Sequence, residues 1–281
     1  MKAKQEEAQE LRHVLDLYED CSGQCINLEK SAIMFSPNTG AAIKTVVKDA
    51  LQIQSESWNE KYLGLPVHVG KSRRRVFAFV KGAMADRVYG WKERFIAKAG
   101  KETLVMTVAQ AIPTFAMSCF YLTKSFCEEL SSLVANYWWS QQDKEHTTHW
   151  IDWRTLTKTK AQGGLGFRDM HDFNIAMLSR QIWRLIQHPD SLCAKVLQAR
   201  YFPNGQILDA TPRDGISYSW RSLLHGLHLF REGYIWRIGD GTQVKIWSDP
   251  WIPRPWSRRI LTPKGKNLLK QVCDLIGPTT G

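Results

Sequence analysis

The stretch EKYLGLPVHVGKSRRRVFAFVKGAMADRVYGW, residues 60–91, decides the fold, because the periodicity of the chain changes inside it. From Tyr62 to Val69 the apolar run is short and interrupted by Gly64 and Pro66, which predicts a strand or hairpin. From Ser72 onward Val76, Phe79, Val80, Ala83, Met84, Val88 and Trp91 fall three and four apart, the spacing of one continuous helix. Lys71, Arg73, Arg74 and Arg75 sit at the junction. A strand feeding a basic helix suits a polyanion, although a solvated helix end has the same composition.

Towards the N-terminus, Leu11, Val14, Leu15 and Tyr18 give a polar, acidic segment one apolar face, so an amphipathic helix is expected and not a signal peptide. A short strand is predicted from Ala32 to Phe35, then a helix over 39–51 with Ile43, Val46, Val47 and Ala50 on its apolar face. Towards the C-terminus the pattern is helical. One helix starts near Lys101 and must end or kink at Pro113. The next opens with SFCEEL, where Ser125 and Glu128 fit a capping box. Helices are further expected over 172–187, 190–201 and 218–230, and the Gly-Asp-Gly of YIWRIGDGTQVKIWSDPWIP predicts a β-hairpin.

With 281 residues and 43% apolar content the chain can bury a core. Its 38 Lys and Arg against 27 Asp and Glu give a formal charge of +11, which favours an acidic partner, most commonly nucleic acid. The excess is local: residues 71–101 hold ten cations (Lys71, Arg73, Arg74, Arg75, Lys81, Arg87, Lys92, Arg94, Lys98 and Lys101) against Asp86 and Glu93. No apolar run reaches the roughly 18 residues of a membrane span, so an intracellular chain without membrane contact is expected. The six cysteines lack paired spacings and read as reduced, buried thiols.

Catalytic and metal chemistry finds little support. His146, His149 and Asp152 stand three apart, yet no fourth ligand is near and a surface loop is the better reading. GGLGF lacks the Lys-Ser/Thr ending of a phosphate-binding loop and reads as a packed turn before a helix. Two-metal nucleotidyl transfer needs clustered carboxylates, and the chain has no Asp-Asp dipeptide. No catalytic residue, cofactor or metal is therefore expected.

Five blocks in one order, LYEDCSGQCINLEKSAIMFSPN, KYLGLPVHVG, GWKERFIAKAGKETLVMTVAQAIPTFAMSCF, HWIDWRTLTKTKAQGGLGFRDMHDFNIAMLSRQIWRL and WRIGDGTQVKIWSDPWIP, resemble the polyprotein of plant non-LTR (LINE-type) retrotransposons. The resemblance runs from about residue 7 to 253 and implies the reverse transcriptase region after the catalytic Tyr-x-Asp-Asp box. It implies an α+β, helix-rich chain. Residues 1–70 would be the remainder of the polymerase palm with a primer-grip-like hairpin and 71–140 a helical thumb. Residues 141–232 would be a helical linker, and 233–281 a β-hairpin and tail leading towards an absent zinc-binding segment.

On this resemblance Lys30 corresponds to a lysine near the nucleotide pocket. The resemblance likewise implies that Lys61, Tyr62, Leu63 and Gly64 form the primer grip and that the cations from Lys71 to Lys101 face the duplex. The implied product is a non-catalytic fragment of an RNA-directed DNA polymerase, lacking the catalytic Asp pair, with sequence-tolerant affinity for RNA or an RNA–DNA template–primer duplex. The missing fingers and palm would have to be supplied elsewhere, and a nuclear location would follow from the family. The alternative is a degenerate structural or interaction remnant with no nucleic-acid role.

Overall fold

The computed structural model describes residues 3–57, 61–67, 69–70, 72–91, 96–140, 148–203, 205–254 and 257–276. The chain divides into two compact units, residues 1–76 and 77–281. The fold is α+β and helix-rich, with one two-stranded antiparallel sheet among the described residues.

In the first unit α1 (Gln5–Ser22) ends at Gly23, whose positive φ of 69° lets its N–H return to the Glu19 carbonyl. Helix α2 (Ala41–Leu51) packs on α1, and the core between them is small: Ala8, Phe35, Val47, Leu51 and Ile53. The expected face of α2 is buried in part, at Val47 and Ala50, while that of α1 is mostly exposed, with Leu15 half-buried. Leu11, Val14 and Tyr18 of α1 and Ile43 and Val46 of α2 are exposed, because Ala8 and the Val47–Leu51 pair make the close helix contact instead. The expected strand at 32–35 is reduced to a parallel bridge of Ile33 with Glu56. Lys44 and Lys48 clamp the Glu56 carboxylate at 3.0 and 2.7 Å.

The opening segment does form a hairpin. Strands β1 (Lys61–Tyr62) and β2 (Leu65–Pro66) pair in the register Lys61 with Pro66 and Tyr62 with Leu65. A two-residue connection of type I′ has positive φ at both central positions, which matches strand twist, and Leu63 (50°) and Gly64 (80°) supply it. The helix after it is broken. Helix α3 (Arg73–Val76) stops at Phe77, and α4 (Ala78–Tyr89) begins anew, because the buried Phe77 ring packs 5.5 Å from Phe120 and 6.3 Å from Tyr218.

In the second unit α5 (Lys98–Leu104) runs into a wide π-turn over Val105–Ala109, and after Pro113 come α6 (Thr114–Cys119) and α7 (Lys124–Trp139). The Ser125/Glu128 capping box does not form: Thr123 is the N-cap and makes no side-chain cap, while Ser125 Oγ lies 3.4 Å from Thr123 Oγ1. A short turn, α8 (Trp153–Leu156), precedes the glycine loop, which is the expected packed turn. Phe167 is buried there between the rings of Trp138 and Trp153.

Helix α9 (Met170–Gln187) is capped by Asp169, α10 (Leu192–Tyr201) by Ser191 and α11 (Tyr218–Gly233) by Ser217, and α9 pairs most extensively with α11. Asn174 on α9 is fully buried. Its amide donates to the Met117 and Phe120 carbonyls at 2.8 and 2.9 Å and accepts from Leu122 N–H at 2.7 Å, fastening the α6–α7 connection. All three backbone groups would otherwise be buried and unpaired.

The Gly-Asp-Gly segment forms no strand pair. Asp240 folds back to accept from the N–H and hydroxyl of Thr242, and Gly241 lies so close to Cys273 that a Cβ there would come within 2.6 Å of its nitrogen. The segment is held instead by an antiparallel bridge of Lys245 with Gln271 and a small core of Val244, Ile246 and Val272. The cysteines also depart from expectation, since Cys127 is buried but Cys21, Cys25 and Cys193 are exposed; all six are free. Among the described residues no helix is long and apolar enough to cross a membrane.

Candidate nucleic-acid interface

A two-residue hairpin loop puts its flanking side chains at a narrow tip, and here that tip is apolar and solvated. Tyr62 and Leu63 are 72% and 73% exposed, an arrangement that hydrophobic burial alone would not select. Leu63 also holds a left-handed conformation that costs a branched L-residue about 1 kcal/mol. Gly64 meets the same requirement at no steric cost. Lys61 pairs across the hairpin with Pro66 and is exposed.

Seven residues beyond Pro66 the chain enters α3. Its first turn is closed by the Arg75 and Val76 N–H groups on the Ser72 carbonyl, at 3.1 and 3.2 Å. Arg73 is half-buried, Arg74 and Arg75 are exposed, and Lys30 is exposed at the end of a 3₁₀ turn, Leu28–Lys30. These five cations, Lys30, Lys61, Arg73, Arg74 and Arg75, all belong to the first unit.

Several cations of the second unit are fixed by protein groups. Lys81 is paired with Glu129 at 2.7 Å. Lys98 donates to the Trp138 carbonyl at 2.7 Å and lies over the Trp138 and Trp139 rings. Lys101 is 4% exposed and donates to the Tyr137 and Ser140 carbonyls and the Ser140 hydroxyl. A buried ammonium closing a helix end cannot also meet a phosphate, so Lys101 leaves the expected contact set. Arg87 is exposed on α4, whereas Lys71, Lys92 and Arg94 lie outside the described residues.

Sequence reasoning missed the helix-closing role of Lys98 and Lys101. The signal was weak, because their acceptors at the end of α7 lie about 40 residues further on, and only the general preference for cations at a helix C-terminus points there. The left-handed Leu63 was also not foreseen, although a two-residue turn before Gly64 requires it.

Other candidates are accounted for structurally. Asp152 caps α8 by accepting from Arg154 N–H, and His149 stacks on Trp139 with ring centres 6.2 Å apart; His146 lies outside the described residues. Among the described residues no three His, Cys, Asp or Glu side chains converge as a metal site. Burial, with the nearby charges of Asp169 and Glu128, pushes the Cys127 thiol up to about 12.

The fold and site thus define a helix-rich α+β chain with a strained hairpin tip and a short arginine helix in its first unit. No protein-family model matches the chain. The chain belongs to the family of the uncharacterized mitochondrial protein AtMg00310 of Arabidopsis thaliana, to which it is 41% identical over 143 residues, covering 50% of this chain and 93% of that protein. It is also 31% identical over 192 residues to the Arabidopsis thaliana protein named "Putative ribonuclease H protein At1g65750", covering 67% of this chain but only 31% of that longer protein.

Proposed function

We propose that this chain is a non-catalytic segment of a plant non-LTR retrotransposon reverse transcriptase, and that it holds RNA or an RNA–DNA template–primer duplex without reading sequence. The observation that carries this reading is the exposed hairpin tip of Tyr62, Leu63 and Gly64 together with the arginine helix α3 a few residues further along the chain. An exposed, strained apolar tip suits contact with a sugar edge or base, and strain of this kind gathers at ligand sites. Three consecutive arginines after it suit phosphates. The name of the longer relative, a ribonuclease H protein, belongs to the same chemistry of RNA–DNA hybrids. Catalysis would need an Asp pair and polymerase fingers from another chain or segment, and the location would be nuclear.

Neutralising about five phosphates by Lys30, Lys61, Arg73, Arg74 and Arg75 gives a log–log dependence of affinity on salt with slope roughly −4. Fluorescence anisotropy with a labelled RNA–DNA hybrid measures it. The triple substitution Arg73→Ala, Arg74→Ala, Arg75→Ala should flatten the slope by about 3. Salt-independent binding, or a triple variant that binds like the parent, removes the proposal.

A second reading is favoured by the exposed apolar residues of the first unit, Leu11, Val14, Leu17, Tyr18, Ile43 and Val46. They fit a chain that packs against protein and has no nucleic-acid role. Sedimentation of a clean monomer with little hydrophobic-dye binding would count against it.

A further inference from the structure

We propose that a groove near the C-terminus of the second unit binds a phosphorylated nucleoside, either free or as one unit of a single strand. This rests on the nucleic-acid reading above only for the class of ligand; its residues are separate. The groove, about 590 Å³, lies between the segment 245–248 and the segment 264–274. That volume is far more than one phosphate needs and within the range of small-molecule sites.

Its floor is built. The bridge of Lys245 with Gln271 and the hydrogen bonds Ile246 N–H to Lys270 O (3.0 Å) and Val272 N–H to Val244 O (2.8 Å) hold the two segments together. The half-buried Trp247 donates its indole N–H to the Leu269 carbonyl at 3.1 Å, which fixes the ring at the groove. Lys245, Lys264 and Lys270 line the same groove and are exposed, and the Lys270 charge also acts on Asp274.

The one acid present, Asp274, is already committed. It accepts from the Gln271 and Lys270 N–H groups at 3.0 and 2.9 Å, and these bonds, with a smaller contribution from the Lys270 charge, hold its carboxyl below the usual range. Three ammonium groups around one fixed indole match a phosphate next to an aromatic base: the lysines meet the charge and the indole offers a stacking face. An acidic peptide would engage the lysines alone, whereas a nucleotide also uses the open part of the half-buried indole, so competition by polyglutamate separates the two.

The test uses the full chain and a labelled 15-mer single strand carrying 5-iodouridine, which couples to aromatic side chains under light. Mass spectrometry should place the crosslink on Trp247. Because Trp247 packs against the small core, its removal endangers folding. The decisive variant is therefore the triple Lys245→Glu, Lys264→Glu, Lys270→Glu, all at exposed positions, with its fold checked by circular dichroism. It should weaken strand binding at least tenfold, flatten the salt slope by about 2, and abolish the crosslink.

Competition by ATP identifies a free nucleotide as the ligand; competition by oligonucleotides alone identifies a strand. Crosslinks that map elsewhere, a triple variant that binds like the parent, or equal competition by polyglutamate would each overturn the proposal. The alanine variants at Arg73, Arg74 and Arg75 keep the two readings apart: loss of their effect with the Trp247 crosslink intact defeats the first site and leaves this one standing.

Discussion

Lys101 and Ser140 close the C-terminal end of α7 between them: the buried ammonium lies 3.0 Å from the Ser140 carbonyl oxygen and 2.9 Å from its hydroxyl. A helix end leaves carbonyls without intrahelical partners, and a cation there answers both the lone pairs and the helix dipole. The Tyr137 carbonyl at 3.3 Å and the Tyr137 ring beneath the ammonium complete the site. Lys101→Met keeps the stem and removes the charge-assisted bonds, so stability should fall by about 2–3 kcal/mol. Urea unfolding measures this, and the salt dependence of duplex binding should not change. Arg75→Ala should do the reverse, with stability within about 0.5 kcal/mol of the parent and a salt slope flatter by about 1.

Gly226 on α11 lets that helix approach α9 closely. A Cβ at this position would come within 2.4 Å of the Leu178 carbonyl carbon and 2.5 Å of the Ser179 nitrogen, both backbone atoms that cannot rotate away. Gly226→Ala, normally favourable inside a helix by up to about 1 kcal/mol, should therefore destabilise the second unit by about 1–3 kcal/mol. The same substitution at Gly82, in the open on α4, should show the ordinary stabilising sign. Thermal denaturation of the two variants distinguishes packing from propensity.

Thiol chemistry should separate the cysteines. Cys127 is buried on α7, its thiol pushed up to about 12, so almost no thiolate exists at pH 8. Cys21, Cys25 and Cys193 are exposed. Iodoacetamide labelling followed by peptide mass spectrometry should modify these three in the native protein and Cys127 only in denaturant. Rapid native labelling of Cys127 would show that α7 does not pack as described.

How much of this was legible depended on whether the signal was local. The helices α9, α10 and α11 could be read because their caps, Asp169, Ser191 and Ser217, stand beside the apolar repeats they start. The hairpin could be read from Gly64 and Pro66. What failed was decided by distant partners. Ser125 and Glu128 have the right spacing for a capping box, yet Thr123 sets the start of α7. The basic run 71–101 looks uniform in sequence, but Glu129 and the end of α7 claim Lys81, Lys98 and Lys101. Periodicity assigned a buried face to α1, whereas only Ala8 is buried there, because a first unit with so small a core cannot cover the rest.

The first unit also carries a pH dependence of definite sign. Side-chain hydrogen bonds from Lys48 and Lys44 hold the Glu56 carboxyl below its ordinary value of 4.5. A carboxylate whose folded value is depressed adds stability at pH above its unfolded value, and that contribution disappears as pH falls through the folded one. Glu56 is also the bridge partner of Ile33, whose N–H donates to the Ser55 carbonyl at 2.9 Å, so loosening the clamp should expose that amide. Hydrogen exchange at Ile33 should be faster in Glu56→Gln than in the parent at pH 7, after correction for intrinsic rates. The difference should shrink below about pH 4.5 as the parent carboxylate takes up its proton. Parallel profiles for the two proteins from pH 3 to pH 7 would show that the clamp does not hold the bridge.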